Sequence, residues 1–321
     1  MIKNWLISAC TIVLITGALN AQQSAVLSQA IFNEILIDPA VAGSTEDIPL
    51  KLQFRKQWSG IDAAPVTQLA SVHAPLGDQI GIGAYIYNDV AGPTRNTGFS
   101  IGLAYKLKLN DKMKLSFGLA GQLFQFSIDP SSLTTDQPGD FAIDDLAGSK
   151  LTPDASAGIM LKGEKYKVGI SATNLFNSEQ NLFDPSMPLF NVMERTFYLH
   201  AMYRAGSKEG FAYEPYLLTR MITQGLIQFD IGLRAIYHDK FFIGAGYRYE
   251  SAALALAGLR FGQFDLSYSY DFGLSELQDH HSGSHEVLIS YRFNKKNGND
   301  TSGNRTPWFK RNQIYSPTEG Q

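Results

Sequence analysis

Ser284 and His285 stand side by side near the C-terminus, the residue types that serve a hydrolase as nucleophile and base. Adjacent side chains in a strand point to opposite faces, so this pair cannot share a proton. The other histidines offer no better set. His200 projects inward by strand parity, where a hydrogen-bonded filling role explains it, and nothing in sequence organises a site around His73. His280 and His281 are loop neighbours without the ligand spacing of a zinc site. The loop 127–149 carries Asp129, Asp136, Asp140, Asp144 and Asp145 with no Lys or Arg, a supply of oxygen ligands for calcium. Its spacing matches no calcium-loop pattern, however, and a solvated acidic loop explains it as well. The only cysteine, Cys10, lies in the leader, which leaves the mature chain without a thiol. With no converging nucleophile, base and orienting group, the expectation is a non-enzymatic protein without a metal or cofactor.

The elements that must position these residues are strands. From about Leu50 to Phe293 the chain alternates apolar and polar residues, most cleanly at Phe264–Phe272. Fourteen strands are predicted: 50–58, 67–73, 80–87, 97–108, 113–126, 154–162, 165–173, 195–204, 213–219, 226–237, 241–249, 253–261, 264–272 and 284–293. Pro215 makes 213–219 the weakest, and 253–261 is apolar on both faces, so its register is ambiguous. Every second connection is short: Ala74–Gln79, Asn110-Asp111, Gly163-Glu164, Ala205–Gly210, His238–Lys240 and Gly262-Gln263. The intervening ones include Asn88–Asn96, Ser127–Pro153, Asn174–Glu194 and Gly273–Gly283, with Glu250–Ala252 as a short exception.

An even strand count, short turns on one side and long loops on the other predict an all-β fold. It is a transmembrane antiparallel β-barrel with short periplasmic turns and long extracellular loops. Parity places Phe99, Ile101, Leu103, Tyr105, Leu107 and Leu109 against lipid, and Ser100, Gly102, Ala104, Lys106 and Lys108 in the lumen. Lys51, Arg55, Arg234, Arg248 and Arg292 also face the lumen, as do Asp230, Asp265, Asp271 and Glu286. A salt-bridge network filling the barrel is the expectation there, in preference to the charge ring of an open channel. Trp58, Tyr105, Tyr166, Tyr203, Tyr247 and Tyr249 suit aromatic girdles.

Composition agrees with a membrane barrel. Only 18% of residues are charged, against roughly 25% in an ordinary soluble protein. A net charge of −3 offers no footprint for nucleic acid. Beyond the leader no apolar run is long enough for a spanning helix. Residues 1–21 read as a signal peptide cleaved after Ala21. Residues 22–47 form a periplasmic or lumenal segment whose Ile31, Phe32, Ile35, Leu36 and Ile37 could plug the lumen or lie under it. The barrel follows at 48–293 and a polar periplasmic tail at 294–321.

Specific motifs narrow this further. Asp38-Pro39-Ala40-Val41-Ala42-Gly43 resembles the Asn-Pro-Ala-Tyr-Ala-Gly motif of the PorP/SprF family of type IX secretion outer-membrane proteins. Arg55-Lys56-Gln57-Trp58-Ser59-Gly60, followed by Ala64-Pro65-Val66-Thr67, resembles its Arg-x-Gln-Trp-x-Gly…Ala-Pro-x-Thr segment. Asn88-Asp89 and Gly283-Ser284-His285-Glu286 continue the likeness in order. Asp38 departs from the usual Asn, and so does Ile61-Asp62-Ala63 where glycine is commoner. The resemblance implies positions that serve structure or interaction: Pro39, Gly43, Arg55, Gln57, Trp58, Gly60, Pro65, Thr67, Asn88, Asp89, Gly283, Ser284, His285 and Glu286. It further implies a component of the secretion and gliding machinery in a Gram-negative outer membrane, where the even strand count and loop asymmetry put both termini in the periplasm. Such a protein supports export or surface attachment of cargo such as a large adhesin. Its partners are then machinery proteins or a cognate adhesin, with lipid around it and no small-molecule substrate. The alternative is a passive channel or small-solute transporter.

Overall fold

A computed structural model of the chain describes residues 26–129, 149–179, 192–223, 227–274 and 281–293. The strands are β1 (Ile48–Lys56), β2 (Val66–Leu76), β3 (Ile80–Ala91), β4 (Thr94–Lys108) and β5 (Lys114–Ile128). They continue with β6 (Ser149–Lys162), β7 (Tyr166–Thr173), β8 (Thr196–Tyr203), β9 (Ala205–Gly206) and β10 (Phe211–Ile222). The last are β11 (Ile227–Tyr237), β12 (Phe241–Arg248), β13 (Ala252–Phe261), β14 (Phe264–Gly273) and β15 (Ser284–Phe293). Each pairs antiparallel with its neighbour in sequence, and β15 pairs with β1 from Ile48↔Phe293 to Lys56↔His285, closing the sheet. β8 and β9 are one barrel strand: Met202↔Tyr216 and Ala205↔Tyr213 share a register across Arg204. The break lies beside Pro215, which has no N–H to give. The result is a closed barrel of fourteen strands.

Its surface is inverted relative to a soluble protein. Along β4, Phe99, Ile101, Leu103, Tyr105 and Leu107 are exposed, while Ser100, Ala104 and Lys106 are buried. Such an apolar exterior is stable only against lipid. Lys108, expected in the lumen, instead lies exposed at the rim beside Asp111. In β13 the ambiguous register resolves with Leu254 and Leu256 inward and Ala253, Ala255 and Ala257 outward. Leu256 is held there by packing against Ile236, Phe242 and Ala212.

The connections on one rim are all short, spanning two residues (262–263) to five (109–113). On the other rim Asn88–Asn96 is not a loop. β3 and β4 run on to a two-residue turn, Gly92-Pro93, with Asn88 opposite Thr97 and Asp89 opposite Asn96. The apolar alternation fades at Tyr87 because the hairpin becomes polar, while the ladder goes on. Trp58, read as the end of a strand, lies beyond Lys56 in the left-handed region at φ 44°. Of the expected long loops, Ser127–Pro153 is shortened by β5, which runs to Ile128, and by β6, which starts at Ser149; 130–148, 180–191 and 275–280, the leader and the tail 294–321 lie outside the described residues.

Residues 26–47 occupy the lumen. Three single 3-10 turns, Ala30–Phe32, Glu34–Leu36 and Pro39–Val41, fold this plug against the inner wall. Ile31, Ala30 and Ile37 pack on Met202, Tyr216 and Leu218. Close approach elsewhere depends on glycine: a Cβ at Gly118 would lie 2.1 Å from the Ala40 nitrogen and 2.3 Å from the Pro39 carbonyl carbon. Gly118→Val is therefore expected to displace the plug and spare the barrel. Heat-modifiable gel mobility should persist while planar-bilayer conductance rises above that of the unsubstituted protein.

Candidate functional site

The plug is fixed by polar contacts with the wall, arranged in layers. In the layer nearer the long connections, Glu286 of β15 accepts hydrogen bonds from the main-chain N–H groups of Ser28 (2.8 Å) and Gln29 (2.9 Å). Gln53 Nε2 (2.6 Å) and Arg55 Nη1 (3.1 Å) also donate to it. Arg55 bridges on to Asp271 (2.7 Å), and Arg248 joins Asp271 (3.2 Å) to Asp230 (2.8 Å). The Ser28 hydroxyl lies between the two guanidinium groups, accepting from both and donating to Asp271. Asn33 completes the layer, donating to Gln53 (3.0 Å) and accepting from Ser71 (2.8 Å). All are buried, and a buried charge is tolerable only when paired and hydrogen-bonded in this manner.

The middle layer is built around His200. Its Nε2 lies 2.8 Å from Asp38 and its Nδ1 3.4 Å from Glu34, and Glu34 also pairs with Lys167. Asp38 caps the third plug turn by accepting from Ala40 N–H (2.8 Å), with Pro39 next in the chain. Burial pushes the Glu34 carboxyl up, but Lys167 and His200 outweigh it and hold its pKa at about 2. Nearer the short-turn rim, Lys106 donates to Gly43 O (2.9 Å), Lys162 to Ser44 O (2.6 Å) and Lys51 to Phe32 O (2.6 Å). Gly43 adopts φ 62°, and a Cβ there would meet Gly81 Cα at 2.6 Å.

The motif residues divide between two places. Pro39 and Gly43 belong to the plug. The others gather along β15, β1, β2 and β3, around the barrel's closing seam. Arg55 and Glu286 are members of the outer polar layer. Gln57 N–H donates to Pro65 O (2.9 Å), and Trp58 N–H donates to the Ser284 hydroxyl (3.2 Å). Ser59, next to Gly60, donates to Gly283 O (2.8 Å). Thr67 donates to Asp89 (2.6 Å) and Thr97 to Asn88 (3.3 Å). Ser284 is buried inside, whereas His285 meets the Tyr268 hydroxyl (2.6 Å) outside, so the two do not come together.

Among the charges expected to pair in the lumen, Arg55 meets Asp271 and Glu286, Arg248 meets Asp230 and Asp271, and Arg292 meets Asp265, whereas Lys51 meets a main-chain carbonyl. Arg234 pairs instead with Glu214, which sequence reasoning missed. Glu214 also takes Arg204 (3.0 Å), and Asp239 joins Arg204 to Arg260. Glu214 shares inward parity with Ala212 and Tyr216, but its neighbour Pro215 obscured that strand. Asp129 donates its N–H to Pro93 O, and the rest of the aspartate loop lies outside the described residues, as does His280. Among the described residues no group of three His, Cys, Asp or Glu is placed to hold a metal.

Comparison with known proteins gives both a family and a fold. The model of the family described as type IX secretion system membrane protein PorP/SprF matches residues 19–291. No curated protein matches the chain. Among solved structures, the CymD monoaromatic hydrocarbon channel is 13% identical with a TM-score of 0.51, covering 84% of this chain and 93% of its own. A Pseudomonas aeruginosa FadL homologue is 12% identical at 0.49, covering 83% and 93%. The P. putida toluene transporter TodX is 10% identical at 0.48, covering 82% and 94%. At such identities the likeness to CymD is one of fold alone.

Two outcomes follow from the layers. Arg55→Met leaves Asp271 and Glu286 short of a buried partner and is expected to cost about 3–5 kcal/mol, read by equilibrium urea unfolding in detergent or liposomes. Because the folded pKa of Glu34 lies below its ordinary 4.5, its contribution is complete above that pH and lost as pH falls toward about 2. Hydrogen exchange of the plug amides should accelerate within that window, and Lys167→Met should move the onset to higher pH.

Proposed function

Because the chain belongs to the PorP/SprF family of type IX secretion membrane proteins, we propose that it is a sealed outer-membrane docking component of that machinery. It would support export or surface attachment of cargo such as a large adhesin. The observation that carries this reading is the occupied lumen: residues 26–47 run through the barrel and are fixed to its wall in three polar layers. A passive channel requires a continuous water path, and that much buried polar contact opposes one. A docking component works through rims and loops, which a rigid plugged barrel presents without motion of the wall.

The short-turn rim is assigned to the periplasm, the arrangement usual for such barrels. The end of β15 then faces the periplasm. Residues 294–321, with Lys295, Lys296, Arg305, Lys310 and Arg311, follow it as a contact for periplasmic machinery. Val26, the first described residue, approaches Gln57 beyond the far end of β1, so the start of the plug lies toward the extracellular half. The expectation of a periplasmic N-terminus is accordingly not carried forward for the plug.

The test combines electrical measurement with affinity capture. Purified barrel in a planar bilayer should show no large steady conductance, and crosslinking in cells should recover type IX components or one very large secreted protein. Deleting the gene should leave that cargo off the cell surface. A large steady conductance, with cargo display intact in the deletion strain, would overturn the reading in favour of a channel.

A further inference from the structure

A chamber lies between the plug and the short-turn rim, with a volume of about 100 Å³. Five cations line it, Lys51, Lys162, Lys167, Arg234 and Arg260, against two carboxylates, Glu34 and Asp265. With His73 neutral, that is +5 − 2 = +3. Adding the ion-pair partners of these groups does not cancel the excess. Glu214 and Asp239 contribute −2, but both are shared with Arg204, and Asp265 with Arg292; Glu34 runs on through His200 to Asp38, so the connected set is +7 − 5 = +2 with the imidazole neutral.

The excess is concentrated on two lysines. Lys51 and Lys162 donate to main-chain carbonyls, Phe32 O and Ser44 O, where the other three lining cations meet carboxylates. The exposed Glu46 also attracts Lys162. An ammonium carries three donors, so one carbonyl leaves capacity at each lysine. A second observation agrees: His73 Nδ1, buried among the lining groups, has no hydrogen-bond partner. Same-sign charge held in such an enclosure is costly, and is relieved either by loss of a proton from a lysine or by an opposite charge joining it. A single water needs about 10–15 Å³ of such space, so the chamber has room for several waters or one small polyatomic ion.

We infer that this chamber is a binding site for a small oxyanion, a phosphate or a carboxylate, held principally by Lys51 and Lys162 and flanked by Arg234 and Arg260. Oxyanions suit it because several donors converge from different strands and each anion oxygen can accept more than one charge-assisted bond. The occupant is either a free anion or a carboxylate carried on a protein segment entering through the short-turn rim. The site does not depend on the docking role proposed above.

The test is calorimetric titration of the full-length barrel in detergent with inorganic phosphate, and separately with a hexaglutamate peptide, at ionic strength fixed by chloride. Phosphate binding alone assigns the site to a free anion, whereas competing peptide binding assigns it to a protein carboxylate. Either supports the inference. Lys51→Met with Lys162→Met should weaken binding at least about tenfold, since two charge-assisted hydrogen bonds are lost. Lys108→Gln, outside the chamber, should leave it unchanged. Retained heat-modifiable mobility certifies that each variant is folded. The inference is overturned if the unsubstituted protein binds neither probe up to about 10 mM, or if the double variant binds as well as its parent.

Discussion

The carboxylate of Glu286 is where wall, seam and plug meet. It takes two main-chain N–H groups from the plug, an amide from Gln53 and a guanidinium from Arg55, so three segments distant in sequence share one buried anion. None of these groups could be left alone at that depth, because a buried donor or charge without a partner costs more than the pair contributes. Each contact therefore obliges the next: Arg55 requires Asp271, Asp271 requires Arg248, and Arg248 requires Asp230. The polar lumen of this barrel does the work that apolar packing does in a soluble core, and its exterior is free to be apolar.

The two ends of the lumen differ in sign. Around Ser28 three carboxylates face two guanidinium groups, while cations predominate on the short-turn side of the plug. His200, bracketed by Glu34 and Asp38, stands at the division. The departure from the family motif at Asp38 is informative here. An asparagine could accept from Ala40 N–H as well, but the carboxylate adds a charge beside His200 in the layer bordering the basic chamber.

The wall was legible in the sequence because lipid outside and polar groups inside impose a two-residue period on every strand. That period yielded all fourteen barrel strands and the inward placement of most of the arginines and carboxylates that pair in the lumen. It was blind where its cause is absent. The hairpin from Asn88 to Asn96 is polar on both faces, so its ladder left no apolar trace. Glu214 was obscured by Pro215, although strand parity with Tyr216 would have turned it inward. The plug is harder still: its turns are three residues long, its apolar residues have no period, and much of its attachment runs through main-chain N–H and C=O groups. Main-chain contacts carry no residue signature, and only the Asp38–Gly43 motif and the apolar residues from Ile31 to Ile37 marked the segment as special.

Every strand pairing but one joins neighbours in the chain, the exception being β15 with β1. Hairpins can therefore zip locally in any order, whereas the final seam must bring together segments separated by the whole length of the barrel, which is slow. The plug precedes β1 directly and bonds to Glu286 on β15, so it straddles that seam from within. Residues 26–47 thereby brace the seam from within, holding the C-terminal strand to the N-terminal one through the same buried carboxylate that fixes the plug.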